Sequence, residues 1–124
     1  MSKFFRHQKA NLLHKLKDIS GVTTPYYYIA RGNRSKTEWH LEDLNFASCN
    51  LLHYGDPKLW NFIPPDMSSY FENCVAKEIG IPLKKAIHYL RHKSLSIDDC
   101  FYQKYGIEPQ KMTQNEGEMV IGKL

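Results

Sequence analysis

The sequence predicts a mainly β domain with a helical insertion, and two changes of residue pattern indicate it. β-branched and aromatic runs dominate residues 22–63, whereas apolar residues recur at helical spacing through residues 67–105. A last segment at residues 118–121, Glu-Met-Val-Ile, predicts a returning strand. This order does not match the alternating strands and helices of a parallel α/β sheet. The strands are also too few to close a sandwich or barrel, so we expect part of a larger closed structure.

Local patterns predict each element in turn. Apolar residues at helical spacing ahead of Gly21 predict a helix over residues 7–19, and we assign residues 1–20 to an N-terminal basic helix. Extended segments are then predicted over residues 22–29 and 37–40, and a hairpin over residues 46–54 and 58–63. Three helices follow, beginning near Met67, Leu83 and Ser96, and glycines suited to helix ends stand at positions 80 and 106.

Composition and charge exclude several classes of protein. The 124 residues are 42% hydrophobic and 13% aromatic, which suits one folded domain. No run approaches the roughly 18 apolar residues that span a bilayer, so we expect a non-membrane protein. The three cysteines form no CxxC pair, so we expect reduced thiols. Residues 1–36 hold eight Lys or Arg and one Asp. This basic third either binds nucleic acid or another acidic surface, or is a solvated helix face.

The most informative short pattern is His40-x-Glu42. Residues at i and i+2 of an extended segment point to the same side, so the imidazole and the carboxylate can meet at one point. A His-x-Glu pair with one distant histidine is a facial triad for Fe(II), which leaves positions open for a cosubstrate and oxygen. A surface histidine beside a glutamate is the usual explanation of such a pair when it occurs alone.

A second set of polar and aromatic residues lies on the predicted hairpin. Lys58 and Trp60 share one face of its second strand, and Asn50 lies on the first strand, so an amide, an ammonium and an indole can line one pocket. A buried ammonium needs an anionic partner, and a dicarboxylate is a candidate. In the alternative, which the residues alone favour, Lys58 extends into solvent and Trp60 belongs to the core.

Several ordered motifs together resemble the JmjC domain of histone lysine demethylases. The resemblance runs from about residue 19 to residue 121, and its insertion motifs point to the branch that demethylates trimethylated lysines. The segments that carry it are GVTTPYxY at 21–28, WHLED at 39–43, NLLHYGDPKxW at 50–60, IPP at 63–65, LRHK at 90–93, KYGI at 104–107 and TQxxGE at 113–118.

This resemblance implies a fold and an activity. The fold would be an incomplete double-stranded β-helix, the cupin-like jelly roll, with residues 21–124 as a partial JmjC domain truncated before its last strands. The activity would be Fe(II)- and 2-oxoglutarate-dependent oxidative N-demethylation of methyl-lysine in the complete protein. The implied partners are a histone-tail methyl-lysine peptide and chromatin, and the implied location is the nucleus.

The resemblance also implies roles for individual residues. His40 and Glu42 would be iron ligands, whereas Asn50 and Lys58 would bind 2-oxoglutarate with Trp60 packed beside it. Two further positions match family motifs. Tyr28 falls where the family places a tyrosine near the methylammonium group, and Lys93 falls on a pocket lysine associated with cosubstrate or oxygen.

Some positions depart from the family pattern. The family's third iron ligand is a histidine beyond the strand matching residues 118–121, at a position after Leu124, and His53 on the hairpin stays open as a replacement. Thr37 replaces an aromatic residue beside the cosubstrate, and Ala86 replaces a zinc-binding cysteine, so no zinc site is predicted. These departures favour an alternative function, a non-catalytic JmjC-like module that binds chromatin or a histone tail.

Overall fold

A computed structural model describes residues 17–32, 35–43, 46–92 and 95–122. Residues 1–16, which hold most of the predicted N-terminal basic helix, lie outside the described residues. The chain divides into two compact units, residues 1–36 and residues 37–124, and each is considered by itself.

In the first unit, the described segment from residue 17 folds around a turn at residues 20–23 rather than a strand. The Ile19 amide donates to the Thr23 Oγ1 over 2.8 Å, and the Thr23 amide donates to the Ile19 carbonyl over 3.0 Å. The strand predicted over residues 22–29 is therefore wrong: residues 22 and 23 belong to this turn, and Pro25 has no N–H to donate to a ladder.

In the second unit, two strands precede three helices along the chain and two strands follow them, which confirms the predicted helical insertion. A strand predicted over residues 37–40 is replaced by an isolated bridge between Trp39 and Leu95. The elements are β1 (Ser48–Leu51), β2 (Lys58–Phe62), α1 (Pro65–Ile79), α2 (Leu83–Arg91), α3 (Asp99–Tyr105), β3 (Gln110–Gln114) and β4 (Met119–Gly122). The sequence patterns did not predict β3.

The strands pair differently from the predicted hairpin. β1 pairs with β4, with Ser48 opposite Gly122, and β2 pairs with β3, with Lys58 opposite Gln114; both pairs are antiparallel. The hairpin prediction is therefore wrong, because β1 and β2 enter different two-stranded sheets. The segment that follows β1 is bonded to the segment that precedes β4, since the Leu52 carbonyl accepts from the Gly117 amide over 2.8 Å.

The hydrophobic core lies among the three helices. Its most buried members are Ala86, Val75 and Leu90, which are 0%, 1% and 2% exposed, and Phe71 and Phe101 pack with them. Trp39 and Leu41 cover this cluster from the segment that precedes β1. None of the helices in the described ranges is long and apolar enough to cross a membrane.

We expect Gly80→Ala to lower the free energy of unfolding by about 1–2 kcal/mol, the cost of a left-handed backbone for an L-residue. Gly80 ends α1 with φ of 66°, and a Cβ added there would have no atom within 4 Å, so the cost is conformational rather than steric. Urea unfolding followed by circular dichroism would measure it. Gly80→Asn is the control, because asparagine tolerates this conformation better; an equal cost for both variants would contradict the explanation.

Candidate functional site

The segment before β1 presents its side chains alternately to two sides. Trp39 and Leu41 pack against the core, whereas the His40 Nε2 and the Glu42 Oε1 lie 3.8 Å apart. The two side chains are 20% and 39% exposed, so both remain accessible to a ligand. The structure thus brings together the two residues of the His-x-Glu pattern.

A backbone contact sets the orientation of the imidazole. His40 Nδ1 lies 2.8 Å from the Glu38 carbonyl oxygen. A carbonyl oxygen only accepts, so Nδ1 carries the proton of the neutral ring and Nε2 keeps its lone pair. Histidine ligands of metals are typically oriented in this way by a hydrogen bond from the other ring nitrogen. The Nε2 lone pair and the Glu42 carboxylate are therefore available as adjacent donors.

Helix α2 holds this segment in place. The Leu41 amide donates to the Leu90 carbonyl over 3.3 Å, and Arg91 Nη1 donates to the Glu42 carbonyl over 3.0 Å. Both bonds act on the backbone, so they fix the chain on either side of the Glu42 side chain without occupying its carboxylate.

Lys58 and Trp60 form a second pair on one face of β2. Both side chains are half-buried, whereas Leu59 between them is 79% exposed. The Lys58 Nζ lies 3.9 Å from the centroid of the Trp60 ring, a cation–π contact. Burial lowers the pKa of Lys58, because removing the ammonium from water disfavours its charged form. The residues alone favoured a solvent-directed Lys58 and a core Trp60, but the structure stacks them against each other.

Gln114 joins the predicted residues of both sheets, although sequence reasoning did not assign it a role. It is 1% exposed. Its Oε1 accepts from the Trp60 Nε1 over 2.9 Å, and its Nε2 donates to the carbonyls of Asn50 and Glu118 over 2.9 and 2.8 Å. The resemblance included Gln114 within a motif, but its inward position follows from β3, which the residue pattern did not predict.

The roles expected for two other residues, Tyr28 and Lys93, stay predictions. Tyr28 belongs to the first unit, is 57% exposed, and has its hydroxyl 2.7 Å from that of Tyr26. Lys93 lies outside the described residues.

The donors of the His40–Glu42 pair suit one divalent first-row cation. Two ligands each about 2.1 Å from a metal at a right angle are about 3 Å apart, so the 3.8 Å pair has to close by less than about 1 Å. Within the described ranges, no group of three His, Cys, Asp or Glu side chains is arranged to hold a metal ion. The pair therefore fits as two ligands of a site that needs another donor.

Known proteins resemble most of this chain. Residues 27–122 match the family described as "JmjC domain, hydroxylase". The chain is 36% identical over 104 residues to probable lysine-specific demethylase 4F of Homo sapiens, and 36% identical over 103 and 104 residues to lysine-specific demethylases 4B of Mus musculus and 4D of Rattus norvegicus. Each alignment covers 83% of this chain, but 16%, 9% and 20% of the respective relatives. The chain thus spans at most a fifth of the length of these three proteins.

Proposed function

Because this chain belongs to the JmjC domain family, we propose that it contributes residues 21–124 as a partial JmjC jelly roll to an Fe(II)- and 2-oxoglutarate-dependent lysine demethylase. The proposed substrate is a methyl-lysine peptide of a histone tail, and the proposed location is chromatin in the nucleus. The observation that carries the proposal is the His40–Glu42 pair, with its 3.8 Å separation and its Nε2 lone pair left available.

In this proposal, His40 and Glu42 hold Fe(II) through Nε2 and the carboxylate. Asn50 and Lys58 bind 2-oxoglutarate, and Trp60 packs beside it. Tyr28 contacts the methylammonium group of the substrate, and Lys93 contributes to the cosubstrate or oxygen pocket. The third metal donor is left open, and His53 is one candidate within this chain.

When bound, iron and 2-oxoglutarate would supply the oxidising chemistry: one oxygen atom of O2 would enter succinate as carbon dioxide leaves, and the other would hydroxylate an N-methyl group that is then lost as formaldehyde. The chain's own contribution is binding and orientation. The half-buried Lys58 ammonium gains a carboxylate partner when the dicarboxylate binds, which offsets the cost of its burial. The indole of Trp60, which already stacks on that ammonium, shields the pair from water.

We expect Lys58→Met to weaken 2-oxoglutarate binding by about 10- to 100-fold, since a hydrogen bond to a charged group contributes about 1.5–3 kcal/mol. The binding would be measured by calorimetry with Fe(II) under anaerobic conditions. Lys111→Met is the matched control, because Lys111 is exposed on the neighbouring strand β3. Equal affinities for the two variants would contradict the assignment of Lys58.

The same variant makes a prediction about pH and stability. Burial lowers the pKa of Lys58 below its ordinary value of 10.5, so the folded chain binds fewer protons than the unfolded chain between the lowered pKa and 10.5. The stability penalty is present in full below the lowered pKa and fades as the pH rises through this interval. We therefore expect the parent chain to gain stability relative to Lys58→Met on titration from neutral to alkaline pH.

Two observations favour a second function. The described residues contain no group of three side chains that could hold a metal ion, and Thr37 and Ala86 stand where the family has an aromatic residue and a cysteine. In this second function, the chain is a non-catalytic JmjC-like module that binds a histone tail. Binding of a trimethyl-lysine histone peptide without succinate release in the presence of Fe(II) and 2-oxoglutarate would support this function. Succinate release that requires both His40 and Glu42 would refute it.

A further inference from the structure

Gln114 uses its whole side-chain amide to join three strands. The Trp60 indole N–H only donates, so the atom 2.9 Å from it must be the Gln114 oxygen. The carbonyls of Asn50 and Glu118 only accept, so the atom near both must be the amide nitrogen. This assignment satisfies both amide hydrogens and the oxygen at a position that is 1% exposed.

These bonds link residues that come from separate sheets. Asn50 lies on β1, Trp60 lies on β2, and Gln114 ends β3 directly opposite Lys58. Because β1 and β2 do not pair with each other, the backbone ladders leave their separation open. The amide of Gln114 bridges the two strands, since its nitrogen donates to the Asn50 carbonyl and its oxygen accepts from the Trp60 indole.

The hydrogen bond from Trp60 to Gln114 also affects Lys58. Holding the indole N–H fixes the plane of the ring, and the Lys58 ammonium lies 3.9 Å from the centroid of that ring. A ring free to rotate about its side-chain torsions would move the face on which the ammonium rests. The hydrogen bond therefore reaches Lys58 through the ring that it orients.

We propose that Gln114 is a positioning residue for the cosubstrate site, setting the Lys58–Trp60 pair against the Asn50 strand so that one dicarboxylate can reach both. This inference rests on the proposed function, because the dicarboxylate is the 2-oxoglutarate assigned there. Gln114 itself is 1% exposed and bonds to Trp60, Asn50 and Glu118, so it acts on the site through these residues.

The test combines a spectroscopic and a binding measurement on Gln114→Met, which keeps the length of the side chain and removes its amide. We expect the Trp60 indole N–H resonance to move and its hydrogen exchange to accelerate, while the Trp39 indole resonance stays in place. Trp39 packs on Phe71 in the helical core, so it reports on the general fold. The dissociation constant for 2-oxoglutarate is expected to rise about tenfold or more, the equivalent of about one hydrogen bond.

Two further variants separate positioning from a general effect on folding. Gln110→Met makes the same change at an exposed position of β3 and should leave both measurements at their parent values. Gln114→Glu keeps the oxygen that accepts from Trp60, and burial favours its protonated form, which can donate to one carbonyl. It should retain the Trp60 resonance and weaken 2-oxoglutarate binding, although less than methionine does, because one carbonyl bond is lost. If Gln114→Met does not fold, Gln114→Glu decides the proposal, and a 2-oxoglutarate affinity equal to that of Gln110→Met would overturn it.

An unmoved Trp60 resonance in Gln114→Met, or an equal shift of the Trp39 resonance, would overturn the proposal. So would a 2-oxoglutarate affinity no weaker than that of Gln110→Met. If the parent chain does not bind 2-oxoglutarate, the proposed function fails, whereas the Trp60 resonance still decides whether Gln114 orients the indole.

Discussion

Phe71→Ala is expected to lower the free energy of unfolding by about 3–5 kcal/mol, the usual range for truncating a buried phenylalanine. Phe71 is 5% exposed on α1, and its ring centroid lies 5.3 Å from that of Trp39 and 5.9 Å from that of Phe101. Alanine would remove both ring contacts and leave a cavity where α1, α3 and the segment before β1 meet. Urea unfolding followed by circular dichroism would measure the loss.

The control for this prediction is Phe46→Ala. Phe46 lies before β1 and is 44% exposed, so the same truncation there removes less buried surface and should cost less than about 1 kcal/mol. Comparable losses at the two positions would contradict the placement of the core. Because Trp39 directly precedes His40, we also expect Phe71→Ala to weaken metal binding at the His40–Glu42 pair in the fraction of chains that remains folded.

His40→Ala is expected to weaken Mn(II) binding by more than about 100-fold. Loss of a residue that only orients a ligand costs up to about 100-fold in metal affinity, and loss of the ligand itself should cost more. Glu42→Gln should have a similar effect, because it removes the anionic donor and retains the shape of the side chain. Mn(II) is a suitable probe since it takes nitrogen and oxygen ligands and is detected by electron paramagnetic resonance without turnover.

Two histidine variants complete the metal experiment. His88→Ala is the matched control, because His88 is exposed on α2 and should leave Mn(II) affinity unchanged. His53→Ala tests the open position of the third ligand: a loss as large as that of His40→Ala would assign His53 to the site, and parent-like affinity would remove it from consideration. If His40→Ala and His88→Ala bind Mn(II) equally, His40 is not a ligand.

The helices were predictable because their signals are local. Apolar residues at helical spacing mark the buried faces of α1 and α2, and Gly80 and Gly106 adopt left-handed conformations at the ends of α1 and α3. The period-2 alternation at residues 39–42 was equally informative, since it placed His40 and Glu42 on one side before any partner was known. These features depend on residues within one or two turns of the chain.

The strand partners were not predictable in this way. A short turn between β1 and β2 favoured a hairpin, but each strand instead pairs with one from beyond the helical insertion. Ladder hydrogen bonds are made by the backbone and carry little sequence information, so a strand pattern does not name its partner. The polar sequence of β3 also gave little sign of a strand, because four of its five residues are exposed.

The sequence by itself determined the three helices and the approach of His40 to Glu42, because spacing along the backbone is enough to specify them. Its ordered motifs carried the resemblance to the JmjC family. Only the tertiary structure decided which strands meet, how Lys58 stacks on Trp60, and that the buried amide of Gln114 joins Asn50 to Trp60. The physical reason is distance along the chain: Gln114 bonds to partners 54 and 64 residues away, and such contacts form only after the strands on both sides of the insertion have come together.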